Sequence, residues 1–296
     1  MQTFLVTGAA SGIGRATTER LLTAGHTVYA GVLPDEPGRA LLATSREGLR
    51  AVELDITSAD DIERVIAQIT EETGHLDGLV NVAGIALGGP VEHTPLQEWR
   101  DQLEVNLLGQ IAVTQAALPL IRRVRGRVTF IGSLAGKVPS ILMGPYSASK
   151  FAIEGVGETL RQELHPWGIQ VAIVEPGAVK TGIWAAAQRT ADRLERTLPV
   201  AAVEAYSAHI DKLRGDMGEW ASEGVEPDEV ARAVEHSLTA KRPKLRYPVG
   251  IDAKVQVILV RLLPDRWREA FVRRITGPRA ADVPQQVGSP PVRAAG

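Results

Sequence analysis

Thr3-Phe4-Leu5-Val6-Thr7-Gly8-Ala9-Ala10-Ser11-Gly12-Ile13-Gly14 decides the architecture of this chain. An apolar run closes at Thr7, three glycines follow at 8, 12 and 14, and a helix-compatible stretch continues to about Ala24. Strand, tight turn and helix in that order open a βαβ unit. The helix N-terminus behind such a turn offers free N–H groups and a positive dipole end, both suited to a pyrophosphate. Gly8 permits the turn, Gly12 lets backbone approach a phosphate, and Gly14 lets helix pack on strand. The competing interpretation is a glycine-rich turn with no ligand, because G-x-x-x-G-x-G is not the standard G-x-G-x-x-G fingerprint.

Further along, short β-branched runs alternate with helical patterns. Thr27-Val28-Tyr29-Ala30, Ala51-Val52-Glu53-Leu54 and Gly78-Leu79-Val80-Asn81 predict the second to fourth strands. Arg127 to Ile131 and Gln170 to Val174 predict the fifth and sixth. Several are almost continuously apolar, as strands buried on both faces are. Ser58 is placed to cap a helix carrying Ile62, Val65, Ile66 and Ile69, and Pro227 suits the first turn of another with Val230, Val234 and Leu238 on one face. The expected fold class is α/β: a single Rossmann-type doubly wound parallel sheet of about seven strands with helices on both faces. One domain is expected over residues 1–277. Residues 183–224, charged and Ala-rich, predict a helical insertion over the sheet's carboxyl edge, where ligands of such sheets bind. Pro, Gly and Ala dominate from 278 to 296, which predicts a disordered tail.

The bulk numbers narrow the functional classes. A net charge of −2 over 296 residues gives no reason to expect nucleic acid or an acidic membrane as partner. With no cysteine there are no disulfides, thiolate metal sites or cysteine nucleophiles. No paired histidine spacing suggests a metal. The longest apolar stretch near the end, Val255 to Val260, is far below the ~20 residues of a membrane span. A strand begins almost at once, leaving no room for a signal peptide, so a cytoplasmic protein is expected.

Only two asparagines occur, Asn81 after the fourth predicted strand and Asn106 in the following helix. Tyr146 and Lys150 are four apart on a predicted helix, hence on one face. Ser133 lies thirteen residues before Tyr146, at the end of the fifth predicted strand. A free tyrosine, with pKa about 10, is a poor base at neutral pH. A lysine ammonium at ~4 Å in an effective dielectric near 20 would favour the tyrosinate by about 4 kcal/mol, bringing the phenol near its working range. A surface tyrosine beside a solvated lysine is the alternative for that pair, and a structural amide at a helix kink is the alternative for Asn106.

With these residues in this order, the chain from Thr7 to Thr181 resembles the short-chain dehydrogenase/reductase family, in its ordinary-length oxidoreductase branch. The resemblance implies Tyr146 as general acid/base, Ser133 as hydrogen-bond donor to the substrate oxygen, Lys150 on the nicotinamide ribose, and Asn106 fixing a water in the proton path. It implies a cofactor, NAD or NADP, held by Gly8, Ser11, Gly12, Ile13, Gly14, Gly31, Asp55, Ile56, Asn81, Ala83, Gly84, Tyr146, Lys150, Pro176, Gly177, Val179 and Thr181. Asp55 resembles the family's adenine contact, with helix capping as its competing role. No acid stands at Gly31, Val32 or Leu33 to select NAD, and no arginine or lysine to select NADP. Asp35 and Glu36 tilt the expectation towards NAD. Family relatives pair through long helices, here about 96–123 and 146–165, so a homodimer or homotetramer is implied.

Leu134, Ala135, Val138, Ile141, Leu142, Met143 and Trp184 are apolar. If they line the pocket, the substrate is a hydrophobic alcohol or ketone; they would equally serve to pack the 183–224 insertion. Residues 247–264 loosely resemble the C-terminal segment of hydroxysteroid and retinol dehydrogenases. Rival readings are a non-catalytic dinucleotide sensor on the same fold and an epimerase or dehydratase with tightly held NAD.

Overall fold

The computed structural model describes residues 1–35 and 37–277. The strands are β1 (Thr3–Thr7), β2 (Thr27–Val32), β3 (Leu49–Glu53), β4 (Gly78–Asn81), β5 (Arg127–Ile131), β6 (Gln170–Pro176) and β7 (Arg246–Val249). They form one parallel sheet in the order β3-β2-β1-β4-β5-β6-β7. The chain moves from β1 outward to β3, then returns to the other side of β1 at β4. The carboxyl ends of β1 and β4 therefore diverge into a crevice at the topological switch point. Every residue of both strands is buried, as helices on both faces require.

The helices are α1 (Gly12–Thr23), α2 (Gly38–Leu42), α3 (Ala59–Glu72), α4 (Leu96–Leu103), α5 (Gln110–Val124), α6 (Gly144–Leu164), α7 (Ile183–Glu195), α8 (Val200–Glu223), α9 (Pro227–Thr239), α10 (Ile251–Leu262) and α11 (Asp265–Thr276). On one face, Leu21 of α1 and Val230, Val234 and Leu238 of α9 pack against Phe4, Val6 and Val80. On the other, Ile62, Val65 and Ile69 of α3 join residues of α5 and α6 over Leu5, Leu79 and Phe130. Ser58 caps α3, accepting from Asp61 N at 3.3 Å, a contribution of ~1 kcal/mol. Pro227 occupies the first turn of α9, where no N–H is needed.

The structure departs from the sequence expectations in three places. β2 runs to Val32, so Gly31 is a mid-strand residue paired with Val52 rather than the strand's end. β6 continues to Pro176, held by β7 through the Pro176–Val249 pairing. The helix expected over 96–123 is broken by a π-helical turn, Glu104–Gly109. A π turn inserts one residue into the i→i−4 ladder, which hydrophobic periodicity cannot reveal.

The insertion forms α7 and α8, and its Ala187, Leu213 and Met217 pack with Ala86, Leu142, Met143 and Tyr146. The tail expected to be disordered, 278–296, lies outside the described residues, as does Glu36. Among the described residues, no helix is long and apolar enough to cross a membrane.

Candidate active site

The crevice wall begins with the glycine turn. Gly8 is left-handed (φ 64°), and a Cβ there would stand 2.8 Å from Ala83 Cα, so turn and β4 loop touch through backbone. A side chain at Gly14 would overlap Gly8 O. Ser11 is the exposed N-cap of α1, and its side chain makes no capping bond. The α1 N–H groups thus face the crevice with a hydroxyl beside them, which fits a bound pyrophosphate. Thr7 Oγ1 accepts from Val82 N (3.0 Å) and Ala83 N (3.1 Å), pinning the two strand ends together. The sequence offered no specific sign of that hydroxyl's work. Ile13 packs its side chain into the core beneath the turn. Gly31 takes part through its carbonyl, which accepts from Ala9 N at 2.9 Å.

Asp55 Oδ1 accepts from Thr57 N (2.9 Å) and Thr57 Oγ1 (2.7 Å), closing its own turn, while Ser58 takes the cap of α3. The capping alternative for Asp55 is therefore set aside. Ile56 and Val179 are core residues, so they border the crevice by backbone. Asn81 is fully buried; its Nδ2 donates to Thr114 Oγ1 of α5 at 2.9 Å, while its Oδ1 has no protein partner. Ala83 O accepts from Gln110 Nε2 at 2.9 Å. Across the crevice, Thr181 lies against Gly12: a Cβ on Gly12 would meet Thr181 Cγ2 at 2.9 Å. Gly177 N donates to Val249 O at 3.0 Å, and Asp252 of α10 packs directly on Gly177. Nothing in the sequence had marked Asp252 for this place.

Asn106 lies in the π turn, fully buried. Its Oδ1 accepts from Ile85 N (2.8 Å), and its Nδ2 donates to Ile85 O (2.9 Å) and to Ser149 Oγ (3.3 Å). Gly84 lies against it, since a Cβ there would stand 3.2 Å from Asn106 Oδ1. Gln102 clamps the same loop, accepting from Leu87 N at 2.7 Å and donating to Ile85 O at 3.0 Å. Asn106 therefore links the β4 loop to α6, the helix that bears Tyr146 and Lys150.

Ser133, Tyr146 and Lys150 come together at the carboxyl end of β5. Ser133 caps a 3₁₀ turn (Leu134–Gly136), accepting from Ala135 N at 3.1 Å, and lines the same cavity as the Tyr146 phenol. Lys150 Nζ donates to Ile131 O at 2.8 Å and lies 5.7 Å from the Tyr146 ring centroid. All three residues are buried. Burial raises the Tyr146 pKa above its ordinary value, and the Ser133 hydroxyl opposes that rise. Burial also lowers the Lys150 pKa, to about 8, against an opposing effect of Glu154.

Tyr146 and Ser133 open onto a cavity of about 300 Å³. Leu134, Ala135, Val138, Ile141, Met143 and Trp184 line it, as expected for a substrate pocket. Leu142 does not. Its left-handed backbone (φ 59°) accompanies a turn of the side chain into a neighbouring recess beside Gly88 and Pro90. The far wall went unanticipated: Trp220, Lys212, Asp216 and Glu219 from α8, with Asp252 and Gln256 from α10. Lys212 Nζ bonds both oxygens of Asp216 (2.7 and 2.8 Å), and the Trp184 and Trp220 rings meet tilted, 4.8 Å between centroids. The cavity is therefore apolar near the phenol and charged at its outer end.

A family model described as short chain dehydrogenase matches residues 2–192, more than half the chain. Mitochondrial D-beta-hydroxybutyrate dehydrogenase of Bos taurus is 33% identical over 258 residues, covering 82% of this chain and 75% of that protein. The NADPH-dependent 3-dehydrocapnine reductase of Ornithobacterium rhinotracheale is 32% identical over 273 residues, covering 90% and 94%. Retinol dehydrogenase 7 of Rattus norvegicus is 34% identical over 276 residues, covering 90% and 86%. Among solved structures, a short-chain dehydrogenase from Streptomyces avermitilis superposes with a TM-score of 0.73 at 30% identity, covering 93% of this chain and 96% of the other. A serine dehydrogenase complexed with NADP+ superposes with a TM-score of 0.70 at 26% identity, covering 83% and 94%.

Proposed function

This chain belongs to the short-chain dehydrogenase/reductase family, and on that footing we propose that it interconverts a hydrophobic secondary alcohol and its ketone, with Tyr146 as general acid/base. The observation that carries the reading is the buried Tyr146 phenol on one cavity with Ser133, with Lys150 Nζ 5.7 Å from its ring centroid. The nicotinamide dinucleotide supplies or accepts the hydride when bound. The α1 N-terminus with Ser11 would hold its pyrophosphate, Asp55 would lie towards the adenine, and Pro176 to Thr181 with Lys150 would border the nicotinamide ribose.

Ser133 orients the substrate oxygen while Tyr146 gives or takes its proton. A buried phenol that holds its proton at neutral pH suits the reductive direction, where it must donate to the developing alkoxide. Lys150, fastened to Ile131 O, delivers positive charge behind the phenol for as long as it stays protonated. Asn106 holds the β4 loop and α6 in register, and we assign it the ordering of a water on the proton path.

The apolar inner wall accepts the body of a steroid-, retinoid- or polyketide-like substrate, and the charged outer wall accepts a polar end. NAD is proposed over NADP. Asp35 follows β2 closely, and the Arg39 guanidinium is already bound to Pro34 O at 2.8 Å. The cysteine-free composition agrees with a cytoplasmic location, and α5 and α6 are assigned to a homodimer or homotetramer interface.

The test is NADH and NADPH oxidation with a panel of hydrophobic ketones. Turnover that favours NADH supports the proposal. Dinucleotide binding without turnover of any ketone or alcohol would replace it with the sensor reading, and dinucleotide copurifying with the protein would favour the epimerase or dehydratase reading.

A further inference from the structure

Beneath the catalytic helix lies a charged cluster that the proposed chemistry does not use. Glu154 is one helical turn beyond Lys150 on α6, and Glu175 immediately precedes Pro176 on β6. Their side chains are 7% and 1% exposed. Lys137, on the segment that follows the Ser133 turn, donates to Glu154 Oε2 at 2.6 Å and lies 3.7 Å from Glu175 Oε1. Arg246 of β7 brings its Nε within 3.0 Å of Glu154 Oε2 and 2.9 Å of Glu175 Oε1, and its guanidinium also pairs with Glu158. The charged groups facing the two carboxyls are thus Lys137, Arg246 and, from α6 itself, Lys150 and Glu158.

Despite these cations, Glu154 Oε1 and both Glu175 oxygens are buried with no partner in hydrogen-bonding geometry. An ionised carboxylate only accepts. Two such groups held against the same Lys137 and Arg246 and out of water repel each other unless a proton lies between them, which turns one into a donor. Glu154 also touches the catalytic serine's neighbourhood, since a Cβ on Gly132 would meet Glu154 Oε1 at 3.3 Å.

We propose that Glu154 and Glu175 are a positioning pair whose carboxyl groups share one proton, and that this bond fastens the Tyr146–Lys150 helix to the Pro176–Gly177 turn. The pair thereby holds the proton-transfer side of the crevice against the side that borders the nicotinamide. It rests on the dehydrogenase reading only for placing the nicotinamide at that turn. Glu175 is raised to about 7, by burial first and by Glu154 second. The bond is closed below that pH. Above it two buried anions oppose each other and the turn loosens from α6.

Carbon-13 NMR of the full chain labelled at glutamate carboxyls, with the tighter-binding of NADH and NADPH present, tests the bond. One carboxyl resonance should titrate near pH 7 and be lost in both Glu154→Gln and Glu175→Gln. Dinucleotide affinity of the wild type should weaken roughly threefold to tenfold from pH 6 to pH 8 as the bond opens. Glu175→Gln, whose amide N–H replaces the shared proton, should bind with little pH dependence, and Glu175→Ala should bind weakly throughout. Absence of any carboxyl titrating near 7 would overturn the proposal, as would wild-type pH dependence retained in Glu175→Gln. A merely structural glutamate would lower stability in these variants without flattening the binding profile. The carboxyl titration involves no ketone and no nicotinamide contact, so failure of the dehydrogenase reading would leave that titration unchanged. Normal ketone turnover with no such titration would refute the pair alone.

Discussion

The two walls of the crevice are built by opposite means. On the β1–β4 side the surface is backbone: left-handed Gly8 against Ala83, Gly14 against Gly8 O, and Thr7 Oγ1 bridging two strand ends. On the α7–α8 side it is side chain. Lys212 pairs with Asp216, Arg214 with Asp192 and Glu195, and Trp184 packs at a tilt on Trp220, all of them partly solvent-exposed. A backbone wall admits no extra atom, whereas a wall of half-exposed ion pairs can change residues at little cost in stability. The invariant partner, a dinucleotide, suits the first, and a variable substrate suits the second.

Substitutions across the two walls should therefore differ in kind as well as size. Between the walls, Tyr146→Phe should lower ketone turnover about a thousandfold while dinucleotide affinity, followed by NADH fluorescence, changes little. Also between the walls, beneath α6, Glu175→Gln has a pH-dependent effect with a definite sign. Glu175 is raised in the fold from 4.5 to about 7, so the stability it contributes is complete below 4.5 and is lost as pH rises through 7. Denaturant titration should find Glu175→Gln equal to wild type at about pH 4 and below and more stable at pH 8, by up to about 3 kcal/mol.

Gly14→Ala should destabilise the fold by about 1–3 kcal/mol, because the added methyl forces α1 off β1, and thermal unfolding should also show a smaller stabilisation by dinucleotide. On the second wall, Lys212→Ala should cost less than about 1 kcal/mol of stability and change KM across a ketone panel with kcat nearly constant. A Lys212→Ala loss as large as that of Gly14→Ala would erase the distinction between the walls.

What the sequence made legible follows the same division. The glycine turn, the succession of the first six strands and the Ser133–Tyr146–Lys150 spacing are local patterns, and local geometry fixes them. Asp252 and Trp220 reach the site from 106 and 74 positions beyond Tyr146, and helical periodicity gives a face but not the surface it docks on. Leu142 was misplaced because nearness in sequence to Tyr146 suggests nearness in space, while its left-handed backbone sends the side chain elsewhere. Asn81 was placed among the cofactor contacts on its position after β4, and its Nδ2 bond to Thr114, 33 residues on, is a long-range contact that position does not show. The phenol's raised pKa was hidden for a different reason: spacing shows that Lys150 is near, but only burial decides whether attraction or desolvation prevails.

Hydride transfer inside this crevice is most directly tested with dinucleotide deuterated at the transferring carbon of the reduced nicotinamide. The wild-type chain, incubated with hydrophobic ketones, should yield an alcohol bearing one deuterium on the carbinol carbon. A chain that binds the labelled dinucleotide tightly and transfers label to no ketone in the panel would contradict the account.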